Sequence, residues 1–274
     1  MKSRIAETIG LRLEPVVLLW TDRLPPEAQQ FAPRKWGCVM SLVAAAIRGK
    51  TVAFDRTTFG CIGGGVGLGF GNQYKNFPGG EEGFHRFLAD GNEQDPQGKA
   101  IAEAMAAGGA RPEFCEHFLH GERYRKNQEL VRQFVDLLPM VDIPTEYVVF
   151  TPLAKLAEGE EPKSVTFFVT ADQLSACVVL ANYDRAALDS ALIPHVAACQ
   201  VVGLLAYAEA ASPQPRCLVG LTDLSARSYL NASLGSDLFT FTMPWRRYRE
   251  MEANVAGSFL EGDTWRTVQG IGRR

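Results

Sequence analysis

Two hydrophobic rhythms alternate along the chain. Short apolar runs rich in valine and phenylalanine predict buried strands at residues 13–20, 51–54, 147–150, 165–169, 217–221 and 238–242. Between them lie stretches with helical patterning. Helices are predicted at residues 2–9, at 38–47 with a stop at Gly49, and at 81–89, 97–106, 171–180 and 196–210. A long one over 113–138 should break near Gly121 and end at Pro139, and the last should run from Pro244 to about residue 260. Residues 21–35 are Pro-rich and polar, a loop; residues 157–164, AEGEEPKS, look like a hairpin connection. The mixture predicts an α/β or α+β fold, a mixed sheet covered by helices. One compact unit over 1–274 is expected, with two possible halves, 1–140 and 141–274. Each half holds a strand, an alanine-rich helix beginning near a cysteine, and a further strand, without a residue-level repeat.

Composition narrows the class. The 274 residues are 46% hydrophobic, with 28 Lys+Arg against 31 Asp+Glu and a net charge of -3, which excludes intrinsic disorder. A pI of 5.9 offers no basic field for nucleic acid. No run reaches the roughly 18–20 apolar residues of a membrane span, and the start, MKSRIAETIGLRLEP, lacks the apolar core of a signal peptide. A cytoplasmic protein is expected, with its six cysteines reduced.

The chemistry-bearing segments are few. Residues 60–71, GCIGGGVGLGFG, hold seven glycines in twelve positions. Such backbone is poor for helix or strand and predicts a loop wrapped closely around some group, with Cys61 inside it. Neither a dinucleotide fingerprint (Phe70 stands where a glycine is needed) nor a P-loop at Arg48–Thr51 (Ala44 stands where a glycine is needed) fits. No C-x-x-C occurs, so any multi-cysteine site must be assembled from distant segments. Cys177 and Cys217 read as buried packing thiols. Cys115, His117 and His120 lie on one helix without a metalloprotease motif, and read as a surface helix. His195, four residues before Cys199, is either a polar partner to a site there or a loop residue. Thr222 or Asp223 reads as a helix cap, and Trp245–Arg249 as the solvated face of an amphipathic helix.

Several ordered motifs resemble a prokaryotic family of unknown function, domain of unknown function 169. They are Trp36-Gly37-Cys38-Val39-Met40 with Gly49-Lys50, Gly60-Cys61-Ile62-Gly63-Gly64 with Leu68-Gly69-Phe70, Ala197-Ala198-Cys199-Gln200, Gly220 to Arg227, and Phe241-Thr242-Met243-Pro244. The resemblance spans most of the chain and implies cysteines at positions 38, 61 and 199 as the family's pattern; Cys115 stands outside it.

That pattern makes Cys38, Cys61 and Cys199 candidate thiolate ligands, with Gly63 and Gly64 supplying room and amide donors. Three thiolates suit an iron–sulfur cluster, 4Fe-4S, with one iron open to a small ligand or to electron transfer; zinc with one open position is the alternative. A small molecule or a redox partner is then expected. Two other readings stay open. One is a metal-free module holding a small anion on the glycine loop, helped by Lys50 or Arg227. The other is an enzyme with Cys61 or Cys199 as nucleophile beside His195.

Overall fold

A computed structural model describes residues 1–271. Its strands are β1 (Val16–Thr21), β2 (Val52–Phe54), β3 (Tyr147–Pro152), β4 (Ser164–Val169), β5 (Ala191–Leu192), β6 (Cys217–Gly220) and β7 (Phe239–Pro244). The principal helices are α1 (Arg4–Thr8), α2 (Val39–Ala46), α3 (Ile62–Leu68), α4 (Gly80–Leu88), α5 (Gly98–Ala107), α6 (Pro112–His120), α7 (Gln128–Asp136), α8 (Ala171–Asn182), α9 (Ala198–Gln200), α10 (Ala206–Ala211), α11 (Leu224–Leu234), α12 (Trp245–Ala253) and α13 (Asp263–Ile271). A π-helical segment, Val201–Leu205, joins α9 to α10. Two compact units form: Met1–Gly71 together with the chain from Val141 onward, and Asn72–Met140.

The first unit is a seven-stranded mixed sheet in the order β2-β3-β1-β4-β7-β6-β5, antiparallel except for the β5–β6 pair. The expected hairpin at 157–164 does not close, because β1 lies between β3 and β4 and pairs antiparallel with both. β1 is apolar on both faces, which suits the middle of a doubly covered sheet better than an edge. Its Val16 and Leu18 join Val148, Phe150 and Phe168 on the face covered by α2, α9 and α11. Val17 joins Val165, Phe167, Phe241 and Met243 on the face covered by α1, α8 and α12. The strict period of two thus sorts one strand into two cores.

Under the π segment the sheet turns polar and small. Thr166 and Thr242 hydroxyls lie 3.0 Å apart, and Ser164 donates to the Val202 carbonyl at 3.3 Å. A Cβ on Gly220 would fall 3.0 Å from a Val201 methyl. Small side chains let this helix sit close to the strands, and a hydroxyl takes up one of its carbonyls.

The second unit is helical. Tyr74 stacks on Phe84 at 3.8 Å, and Phe77 packs against Phe84, Phe87, Phe114 and Phe118. Buried Asn92 donates to the carbonyls of Gly83 and Phe118 and accepts from Arg86. The predicted long helix is two, α6 and α7, with Gly121 at a φ of 78° closing the first.

Cys177 and Cys217 are buried packing thiols as expected; burial pushes Cys217 up to about 12. Arg247, by contrast, does not lie on a solvated face. It is fully buried and grips Asp184 at 2.6 and 2.9 Å and Glu250 at 2.8 Å. A charged helix face needs such partners when a second helix covers it.

Arg247→Ala deletes a fully buried side chain together with its hydrogen bonds to Asp184, Glu250 and the Ala181 carbonyl, and should cost about 1–3 kcal/mol in urea unfolding. Hydrogen bonds from Arg247 hold the Asp184 carboxyl down at about 2. Its folded value is below its unfolded one, so its stabilisation is present above about pH 4 and fades as the pH falls toward 2. Asp184→Asn should flatten that acid limb of the stability profile.

Candidate thiol site

The glycine-rich segment is not a loop. Residues 62–68 form α3, with Cys61 as its N-cap and Gly69, at a φ of 89°, closing it. Helix propensity argues against this, at roughly 1 kcal/mol per glycine. Tertiary packing overrides it, because the glycines are where backbones touch. A Cβ on Gly67 would lie 2.7 Å from the Cys199 carbonyl carbon and 2.8 Å from the Gln200 nitrogen. One on Gly203, in the π segment, would overlap the Gly67 carbonyl. One on Gly64 would meet the Val39 side chain at 2.5 Å, and one on Gly60 would strike the Gly37 carbonyl.

These contacts bracket the three cysteines. Gly37 and Gly60 touch one residue before Cys38 and Cys61; Val39 and Gly64 touch just after them. Gly67 seats against the backbone of Cys199 itself. Cys38 is the N-cap of α2, Cys61 the N-cap of α3, and Cys199 lies in the first turn of α9. The Cys199 thiol donates to the Gly63 carbonyl at 3.4 Å, and the Gly64 N–H donates to Cys61 Sγ at 3.3 Å. A Cβ on Gly63 would meet nothing within 4 Å, so this glycine, unlike Gly64 and Gly67, faces open space.

The electrostatics tie the three together. Burial pushes the Cys61 thiol up to about 11, and charge on Cys38 adds to the rise. Cys199 is pushed well above the ordinary range, by burial first and then by charge on Cys61, Cys38 and Asp223. Cys38 rises too, chiefly through burial, although backbone N–H groups of Ser41 and Met40 oppose it. At neutral pH these thiols stay protonated unless a positive centre joins them.

Asp223 is the group that residue reasoning reduced to a cap. It does cap α11, accepting from Ala226 N–H at 2.6 Å, but its other oxygen accepts from Ala198 N–H at 2.7 Å. One carboxylate thus ties the start of α11 to the residue before Cys199. Burial pushes its pKa up, and the hydrogen bonds from the Ala226 and Ala198 N–H groups oppose the shift; His195 is exposed nearby. Just before it, Leu221 is buried at a φ of 60°, a conformation costing a β-carbon residue about 1–2 kcal/mol. The Thr222 hydroxyl beside it is buried without a hydrogen-bond partner among the described residues. A Leu-Thr-Asp run carries no signal of strain, so the cap at residues 222–223 was readable in the sequence and the left-handed Leu221 was not.

Other candidates lie elsewhere. Cys115, His117 and His120 belong to the second unit, where His117 pairs with Glu122 and His120 with Glu93 and Glu116 at 3.4–3.7 Å. Arg227 spends its guanidinium on the carbonyls of Ser236 and Leu238. Among the described residues no group of three or more His, Cys, Asp or Glu is spaced to hold a metal ion. No helix is long and apolar enough to cross a membrane.

A mixed sheet with helices on both faces makes this an α/β protein. The sequence profile of DUF169, described as uncharacterised ArCR, matches residues 4–254, and the chain belongs to that family. No curated protein and no solved structure matches it.

Gly67→Ala forces two backbones apart and should cost about 1–3 kcal/mol, whereas Gly63→Ala, facing space, should stay within about 1 kcal/mol of the parent in the same urea titration. Because Cys61 titrates near 11 rather than 9.0, its alkylation at pH 8 should run about a hundredfold slower than that of a free cysteine. Peptide mapping over a pH series reads this directly, with the rate climbing until pH 11.

Proposed function

We propose that Cys38, Cys61 and Cys199 hold an iron–sulfur cluster, 4Fe-4S, that leaves one iron open to a small ligand or to electron transfer. The observation that carries this reading is three thiols from distant segments at helix starts, all pushed up by burial, with charge on Cys38 and Cys61 adding to the rise at Cys199. Thiols held protonated in this way are poor nucleophiles and poor anion binders. They become thiolates when a positive centre compensates them. The donor set is soft, and the space beside Gly63 has the Gly64 amide aimed at sulfur next to it, features suited to a cluster. A single zinc ion at about 2.3 Å from each sulfur would need them about 3.8 Å from one another. A cubane takes its thiolates on separate corners and tolerates wider spacing.

When bound, such a cluster supplies a Lewis-acidic iron and a one-electron store. The chain's own residues bind, orient and shield it. Asp223 fixes the Cys199 helix against α11, and the Gly64 N–H stabilises negative charge on Cys61. Exposed apolar side chains rim two of the ligand segments and the Asp223 turn: Trp36 before Cys38, Ile193 before Cys199 and Leu224 after Asp223. That rim suits a small organic ligand or a docking redox partner.

After anaerobic reconstitution with ferrous iron and sulfide, the full chain should retain the two in equal amounts and absorb visible light. Cys38→Ser, Cys61→Ser and Cys199→Ser should each lower iron retention about tenfold or more, while Cys115→Ser and Cys177→Ser should not. Loading should also weaken as the pH falls, since each thiol must lose a proton. Protein that keeps no iron, or iron indifferent to all three substitutions, contradicts the proposal.

A further inference from the structure

A separate cleft of about 570 Å³ opens in the first unit, a size typical of small-molecule sites. It lies between the chain following α1, the first turn of α8, the connection from α11 to β7, and α13. Its floor is apolar, built from Ile9, Leu13, Phe168 and Leu238. Its walls are fixed by hydrogen bonds that precede any ligand. Gln173 donates to the carbonyls of Ile9 and Gly10, and Trp265 and Gln269 both donate to the carbonyl of Thr8. Three ends of structure are thus held at one place around a hollow.

Arg12, Asp172 and Asp237 line the same cleft and are exposed. Among the described residues none of the three takes part in an ion pair. A guanidinium and two carboxylates therefore line an apolar floor without pairing with one another. A polyanion would meet the two carboxylates, and a simple cation would meet the guanidinium. A molecule carrying both charges on an apolar body satisfies all three and covers the floor. We propose that this cleft binds a zwitterionic small molecule of the α-amino acid class, its carboxylate on Arg12, its ammonium on Asp172 and Asp237, and a hydrocarbon side chain over Phe168 and Leu13. The site draws on none of the three thiols and stands whether or not they hold a cluster.

Calorimetric titration of the full chain with L-leucine and L-phenylalanine tests this. At least one should bind saturably, and Arg12→Gln and the double variant Asp172→Asn/Asp237→Asn should each weaken it about tenfold or more, the effect of losing a charge-assisted contact. Removing half the charge pair from the probe, as in 4-methylpentanoate and 3-methylbutylamine, should weaken binding similarly. All three side chains are exposed, so the variants should keep the parent melting temperature, and Cys61→Ser should bind like the parent. Absence of saturable binding by either amino acid, binding that ignores the charge substitutions, or equal binding of the singly charged probes overturns the proposal.

Discussion

The structure of the thiol site depends on one close approach: the backbone of α3 against the backbone of α9 at Gly67 and Cys199. Side chains of ordinary size would hold two helices about 8–10 Å apart. Here glycine removes the spacer on one side, and Gly203 repeats the device a turn later against the Gly67 carbonyl. The segment sacrifices helix propensity to obtain this, and closes with a left-handed Gly69. Once α3 is seated, Gly64 against Val39 and Gly60 against Gly37 carry α2 with it. Cysteines separated by 23 and 138 positions in the chain then share one neighbourhood.

That neighbourhood is electrostatically unfinished. Three thiols lie where burial opposes their ionisation, and charge on Cys38 and Cys61 further resists ionisation of Cys199. Asp223 adds further negative charge, held in place by two backbone N–H groups because it joins two helices. A buried leucine in a left-handed conformation and an unpartnered threonine hydroxyl sit in the same turn. Strain and unsatisfied polar atoms persist in folded proteins where the surroundings over-determine them, and they gather at functional sites. The second core, on the other face of the sheet, also holds two thiols pushed up by burial, Cys177 and Cys217, packed with Phe167, Phe241 and Met251. These two lie inside regular elements, α8 and β6, rather than at helix starts.

Much of the fold was legible because β-strands buried on both faces, such as β1 and β4, read as continuous apolar runs, and the apolar, alanine-rich α2 reads as a buried helix. The order of strands was not, since nothing local in AEGEEPKS reveals that β1 will insert between its neighbours. The glycine segment misled for a definite reason. Propensity describes a helix in isolation, while these glycines are selected by the distance between two backbones. Arg247 misled similarly, because three arginines in five residues look solvated until a partner such as Asp184 arrives from another helix. Of the site, the cysteine trio came from family resemblance and not from spacing. Asp223 was visible only as a cap, because its second hydrogen bond, to Ala198, crosses 25 positions.

The iron K-edge absorption spectrum of the anaerobically loaded full chain tests the central claim most directly. Thiolates gathered around a cluster predict sulfur neighbours at about 2.3 Å, close to the zinc–sulfur length, an iron–iron shell beyond them, and a light-atom neighbour at the one iron without a cysteine. A spectrum of oxygen and nitrogen neighbours alone, with no iron–iron shell, would contradict it.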